Sequence, residues 1–134
     1  MTTVYTDTSA LLKRVVLEPE SAAVRALLRS READGDLLVS SSLAWLEVWR
    51  VLRRAGLANI EAVAELALSG VAEFPLDEVV LMRARRVGLD ELRSLDSIHL
   101  AAAIAVGADS LLTYDERLAN SATAAGLNVL APVV

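Results

Sequence analysis

Five short strand-like segments, Thr2 to Thr6, Leu37 to Ser41, Val71 to Phe74, Ser110 to Thr113 and Asn128 to Ala131, alternate along the chain with stretches of helical period. Several are apolar runs without a polar face, and no Asn-Gly or Asp-Gly hairpin turn lies between adjacent strands; the Asp34-Gly35-Asp36 turn separates a helix from a strand. Strands buried on both faces and joined by helical crossovers form parallel sheets. The pattern predicts an α/β fold, a three-layer α/β/α arrangement around a central, mostly parallel sheet. The connecting helices are expected from a Thr8-Ser9 cap to about Leu17, from Glu20 to Arg31, from Leu43 to about Ala55, and from Asn59 to about Ser69. Further helices should open at Asp77 towards Gly88, run from Leu95 (capped by Ser94) to near Gly107, and span Asp115 to Ala125. Leu89 to Arg93 is too short for more than a loop or a helical turn.

At 134 residues with 54% hydrophobic content, the chain is expected to form one domain, residues 1–134, with a well-filled core. Cysteine is absent, which excludes disulfides and thiolate metal sites. No apolar run reaches membrane-spanning length and a strand begins almost at the first residue, so no membrane association and a cytoplasmic location are expected. A net charge of -5 is the wrong sign for indiscriminate binding along a phosphate backbone. Lys13 is the single lysine, so twelve of the thirteen basic residues are arginine, and arginines can still form local patches that grip phosphates.

Four acids stand at the edges of hydrophobic elements. Asp7 follows the first strand, Asp115 follows the Leu111-Leu112 strand, and Glu47 and Asp96 fall in the early turns of helices. Each has a local explanation: Asp7, Asp96 and Asp115 suit helix N-termini, and Glu47 has Arg50 three residues on. Independent capping does not explain why all four fall where the carboxyl ends of parallel strands form a ligand crevice. Crowded carboxylates repel, and a divalent cation between them relieves the cost. Oxygen-only ligation suits Mg²⁺ or Mn²⁺, and the chemistry fitted to it is phosphodiester hydrolysis by a metal-activated water. Ser9 and Thr113, beside these acids, are candidates to hydrogen-bond a metal-bound water. His99, the only histidine, lies one turn after Asp96; a structural hydrogen bond to a neighbouring strand or loop is the plainer reading, substrate contact or proton transfer the other. Trp45 and Trp49 share a helix face and read as core or dimer contacts, with base stacking as the minor option.

The order of these motifs, Asp7-Thr8-Ser9-Ala10-Leu11-Leu12-Lys13, Glu47 with Arg50, Leu95-Asp96-Ser97-Ile98-His99-Leu100-Ala101, Leu112-Thr113-Tyr114-Asp115-Glu116-Arg117-Leu118 and Gly126-Leu127-Asn128-Val129, resembles the PIN-domain ribonucleases, and more narrowly the VapC-type toxins of toxin-antitoxin pairs. The resemblance spans essentially the whole chain. It implies a Mg²⁺- or Mn²⁺-dependent endoribonuclease, inhibited by a small antitoxin and forming a homodimer. Asp7 and Asp96 would be the principal metal ligands, with Glu47 and Asp115 completing the site; Glu116 stands beside Asp115 as a substitute. Arginines such as Arg14, Arg50 or Arg93 are candidates for holding flanking phosphates of the RNA. Two other functions fit the same acids: a PIN-fold interaction module that cuts nothing, and a phosphatase with Asp7 as nucleophile, which lacks the second acid usual two positions later because Ser9 stands there.

Overall fold

The computed structural model describes residues 1–133. Five strands, β1 (Thr3–Thr6), β2 (Leu37–Ser41), β3 (Ala72–Phe74), β4 (Ser110–Leu112) and β5 (Asn128–Leu130), form one sheet in the order β3-β2-β1-β4-β5, and every neighbouring pair is parallel. Seven helices flank it among the described residues: α1 (Thr8–Leu12), α2 (Ser21–Ala33), α3 (Ser42–Arg54), α4 (Ile60–Ala67), α5 (Glu78–Ala84), α6 (Ser94–Ala105) and α7 (Glu116–Ala124). The order turns outward on either side of β1, so the loops leaving β1 and its neighbours diverge and open a crevice at the carboxyl edge.

Strand alternation distributes the core. Tyr5, Val39 and Leu111 point to one face, where they pack with Leu100 to Ala103 of α6 and with Leu118 and Ala122 of α7. Val4, Leu38 and Leu112, each one residue away, point to the other, against Ala10, Val24 and Leu28. A third cluster joins Val48 and Leu52 of α3 to Ala64 and Ala67 of α4. Full burial of a leucine such as Leu100 or Leu111 contributes about 1.5–3 kcal/mol, and the two-sided sheet explains why these strands lack a polar face.

Several helix ends differ from the sequence expectation. Asp7, rather than Thr8 or Ser9, caps α1, its Oδ1 accepting the Ala10 N–H, and the helix stops at Leu12 rather than Leu17. Beyond Leu12 the N–H groups of Lys13, Arg14 and Val15 bond back three residues instead of four, tightening the chain out of the α-helix. Lys13 is drawn in to Glu18 and Glu20 at 3.0 and 3.1 Å, and Ser21 Oγ accepts the Glu18 N–H and donates to the Val16 carbonyl, which folds the connection to α2. Arg93 rather than Ser94 takes the N-cap position of α6, leaving Asp96 in its first turn as expected. Trp45 and Trp49 do not enter the core. Trp49 is 41% exposed, and both line a groove of about 300 Å³ against α4.

Candidate active site at the carboxyl edge of the sheet

Topology brings the four acids to one edge. Asp7 immediately follows β1, and Asp115 lies three residues beyond the end of β4. The first helix after β2 carries Glu47 in its second turn. Because α6 runs back before parallel strand β4, its first turn, with Asp96, also begins at the carboxyl edge.

Asp7 is 3% exposed and held by three donors. Ser9 Oγ–H and the Ala10 N–H donate to Oδ1 at 2.8 and 3.0 Å, and Thr113 Oγ1–H donates to Oδ2 at 2.6 Å. Burial still wins over these bonds and pushes the Asp7 carboxyl above its ordinary value. The same Thr113 Oγ1 accepts the Asp115 N–H at 3.0 Å, so one buried hydroxyl ties two of the acids together. Asp115 Oδ1 caps α7 through the Leu118 N–H at 2.9 Å. Ser9 and Thr113, the hydroxyls the sequence placed beside the acids, thus both donate to Asp7 and fix its carboxylate.

Glu47 does not pair with Arg50. Its Oε1 accepts Thr8 Oγ1–H at 2.6 Å and His99 Nε2–H at 2.7 Å. Behind His99 the chain of bonds runs inward. Tyr5 Oη, fully buried, accepts the Ser41 N–H at 3.1 Å and donates to His99 Nδ1 at 2.7 Å. Burial raises the Tyr5 phenol to about 12, so it stays a neutral hydroxyl at the inner end of the chain, while the outer nitrogen of His99, Nε2, meets Glu47. Burial alone would push the Glu47 carboxyl up, but the bonds from His99 and Thr8 outweigh it and hold the group below its ordinary value. Sequence reasoning misses Tyr5 and Thr8 as site residues. A tyrosine on a strand buried on both faces needs a partner for its hydroxyl, and that is the signal the sequence offers.

Asp96 is the acid whose carboxylate meets the field of the others. Burial, then the neighbouring Asp115, and with smaller effect Asp7 and Glu47, hold it above its ordinary value against an opposing pull from His99. Asp115, not the exposed Glu116 beside it, is thus the acid of α7 that faces Asp96. Among the described residues, no three acids or histidines close tightly enough to cage a metal ion by themselves. The donor set nonetheless fits a hard, water-carrying cation. Glu47 and Asp115 each commit one oxygen to the protein through the bonds above and leave the other uncommitted among the described residues, while Asp96 spends neither. Mg²⁺ takes one or two carboxylates directly and keeps several waters, so it needs no closed cage.

Strand order, an all-parallel sheet and four acids at its carboxyl edge define a three-layer α/β protein with an acidic sheet edge. The PIN domain profile matches residues 4–123, and the chain belongs to the PIN-domain family, among its VapC-type members. It is similar to Ribonuclease VapC46 of Mycobacterium tuberculosis, 41% identical over 134 residues covering 98% of this chain and 99% of that protein. In three dimensions it resembles Mycobacterium tuberculosis VapC20, described as a sarcin-ricin loop cleaving toxin, with a TM-score of 0.72 at 20% identity, covering 92% of this chain and 95% of that one. It also resembles Rickettsia felis VapBC2 bound to a promoter DNA fragment, with a TM-score of 0.77 at 14% identity, covering 97% and 98%. The solved structures match the fold.

Proposed function

We propose that this chain is a Mg²⁺- or Mn²⁺-dependent endoribonuclease, the toxin of a cytoplasmic toxin-antitoxin pair, that cuts a structured RNA selectively and is restrained by a small antitoxin; a homodimer is the expected assembly. One observation supports the reading: the topology brings four carboxylates from four separate elements to one edge of the sheet, three of them fixed by hydrogen bonds, while Asp96, raised first by burial and then by the charge of Asp115, accepts none among the described residues. Asp96 and Asp7 would hold the cation, with Glu47 and Asp115 completing its surroundings. When bound, such an ion makes water a better nucleophile and neutralises charge growing on the phosphate. The protein's own contribution is rigidity. Thr113, Ser9 and the Ala10 N–H stop Asp7 from turning, and Tyr5 acting through His99 does the same for Glu47. Ser9 stands where an aspartyl-phosphate phosphatase would carry its second acid and gives its hydroxyl to Asp7 instead, which disfavours that chemistry. No helix among the described residues is long and apolar enough to cross a membrane.

The test is controlled expression of the wild type and Asp96→Asn in a bacterial host, with total RNA analysed alongside growth, and incubation of the purified proteins with total RNA in Mg²⁺, Mn²⁺ or EDTA. Growth arrest and discrete fragments from the metal-loaded wild type alone are the expected result. Equal harmlessness of both proteins, with RNA intact in Mn²⁺, would leave an interaction module instead. Indiscriminate shredding of unrelated RNAs at low enzyme concentration would overturn the selectivity.

A further inference from the structure

Glu47 lines one end of a second groove of about 280 Å³ that runs along α3, with Thr8 beside it, Arg50 and Arg54 further along, and Leu46 and Leu95 on its walls. Positions 47, 50 and 54 fall on one stripe of the helix. At 1.5 Å per residue, Arg50 lies about 4.5 Å and Arg54 about 10.5 Å beyond Glu47 along the axis, so the two guanidinium groups are spaced about 6 Å apart at their roots. Neither takes part in an ion pair among the described residues. Glu47, the one acid on the groove, already spends an oxygen on His99 and Thr8. In a chain of net charge -5, two unpaired arginines on the flank of the acidic crevice are positioned for an anion.

We propose that Arg50 and Arg54 form a phosphate-holding stripe that binds two successive phosphates of an RNA strand next to the one at the acids, and so sets which bond reaches them. The proposal rests on the ribonuclease reading. Its occupant is single-stranded RNA backbone, because the groove offers two guanidinium groups one helical turn apart and apolar walls at Leu46 and Leu95, 59% and 52% exposed, with no base-reading amide or carboxylate besides Glu47. Arg14 and Arg93, the other arginines the sequence offered, lie off this groove. Arg14 gives its guanidinium to the carbonyls of Ala67 and Ser69 at 3.1 and 2.8 Å, in a separate groove with Arg25 and Arg29 that none of the four acids lines, and Arg93 lies at the α6 cap outside the α3 groove. A plainer account of Arg54 exists: cations suit a helix C-terminus, and Arg53 and Arg54 both occupy the last turn of α3. That account treats Arg53 and Arg54 alike, whereas the groove takes only Arg54.

The experiment measures binding, not cutting. Asp96→Asn protein in EDTA is titrated into a fluorescein-labelled single-stranded RNA of mixed sequence, by anisotropy, over a series of KCl concentrations. Each phosphate contact contributes about 0.7 to the slope of log affinity against log salt for a single strand. Adding Arg50→Gln or Arg54→Gln should each lower that slope by about 0.7 and weaken binding at low salt about 3- to 10-fold, and Arg53→Gln should leave both as in the parent. Unchanged slopes for Arg50→Gln and Arg54→Gln, an equal loss with Arg53→Gln, or no RNA binding by the parent would overturn the proposal. A stripe-dependent slope in a protein whose wild type cuts no RNA with metal would instead sink the ribonuclease reading and keep the stripe.

Discussion

Replacing Thr113 by valine keeps the shape of the side chain and removes one oxygen, at a position 1% exposed where water cannot take its place. Two bonds are lost. The donation to the Asp7 carboxylate at 2.6 Å is charge-assisted and stands for about 1.5–3 kcal/mol; the bond accepted from the Asp115 N–H, half-buried and partly replaceable by water, stands for about 1 kcal/mol. Thr113→Val should therefore cost about 2.5–4 kcal/mol, a large share of the 5–15 kcal/mol typical of a domain. With a urea slope of about 2 kcal/mol/M, the unfolding midpoint in EDTA should fall by about 1.5 M. In an Asp7→Asn background the bond joins two neutral groups and stands for about 0.5–1.5 kcal/mol, so with the Asp115 bond the same substitution should cost about 1.5–2.5 kcal/mol, a coupling of about 1 kcal/mol. A midpoint within about 0.3 M of wild type, or equal costs in the two backgrounds, would show that Thr113 does not hold Asp7 as described.

Two further predictions concern charge and position. In the metal-free fold the Asp7 carboxyl ionises less readily than in the unfolded chain, so stability is lost as pH rises from its ordinary value of 3.8 through the raised folded value. Asp7→Asn should thus melt higher than wild type at pH 7 in EDTA, with the gap closing below pH 3.8; a lower melting point at pH 7 would refute that sign. Glu47 has the opposite sign, its stabilising effect present above 4.5 and lost as pH falls through the lowered folded value, so Glu47→Gln should cost about 1 kcal/mol at pH 7 and nothing in strong acid, by urea titration. Tyr5→Phe leaves the buried Ser41 N–H and His99 Nδ1 without their partner, which should cost about 1–3 kcal/mol and lower RNA cleavage about tenfold while RNA affinity in EDTA stays as in wild type.

Strand positions were legible because burial on both faces writes a continuous apolar run, and the four acids because each interrupts the edge of such a run. Helix starts were less so: Asp7, Thr8 and Ser9 are all capping residues, and only the geometry of the β1 exit assigns the cap to Asp7. Glu47 illustrates the same limit. Sequence offered Arg50 three residues away, while the partners chosen, Thr8 and His99, lie 39 and 52 residues distant and are brought close by the order of strands. The tryptophans failed as core residues because α4 covers their face only in part, leaving a groove. Arg14 shows the same limit: its guanidinium donates to the carbonyls of Ala67 and Ser69, more than fifty residues away, which no local pattern announces.

Asp7 and Asp115 each cap a helix as well as face the crevice, and that double employment shapes how such a chain can lose its activity. Asparagine, which also caps helices well, is one chemical step from aspartate, and at position 7 it removes a charge that the fold resists. Selection for folding alone therefore does not protect the acid at position 7. On the proposed role of Asp7, a single substitution to asparagine would silence the chain and leave the fold, with its surface and whatever that surface binds, in place.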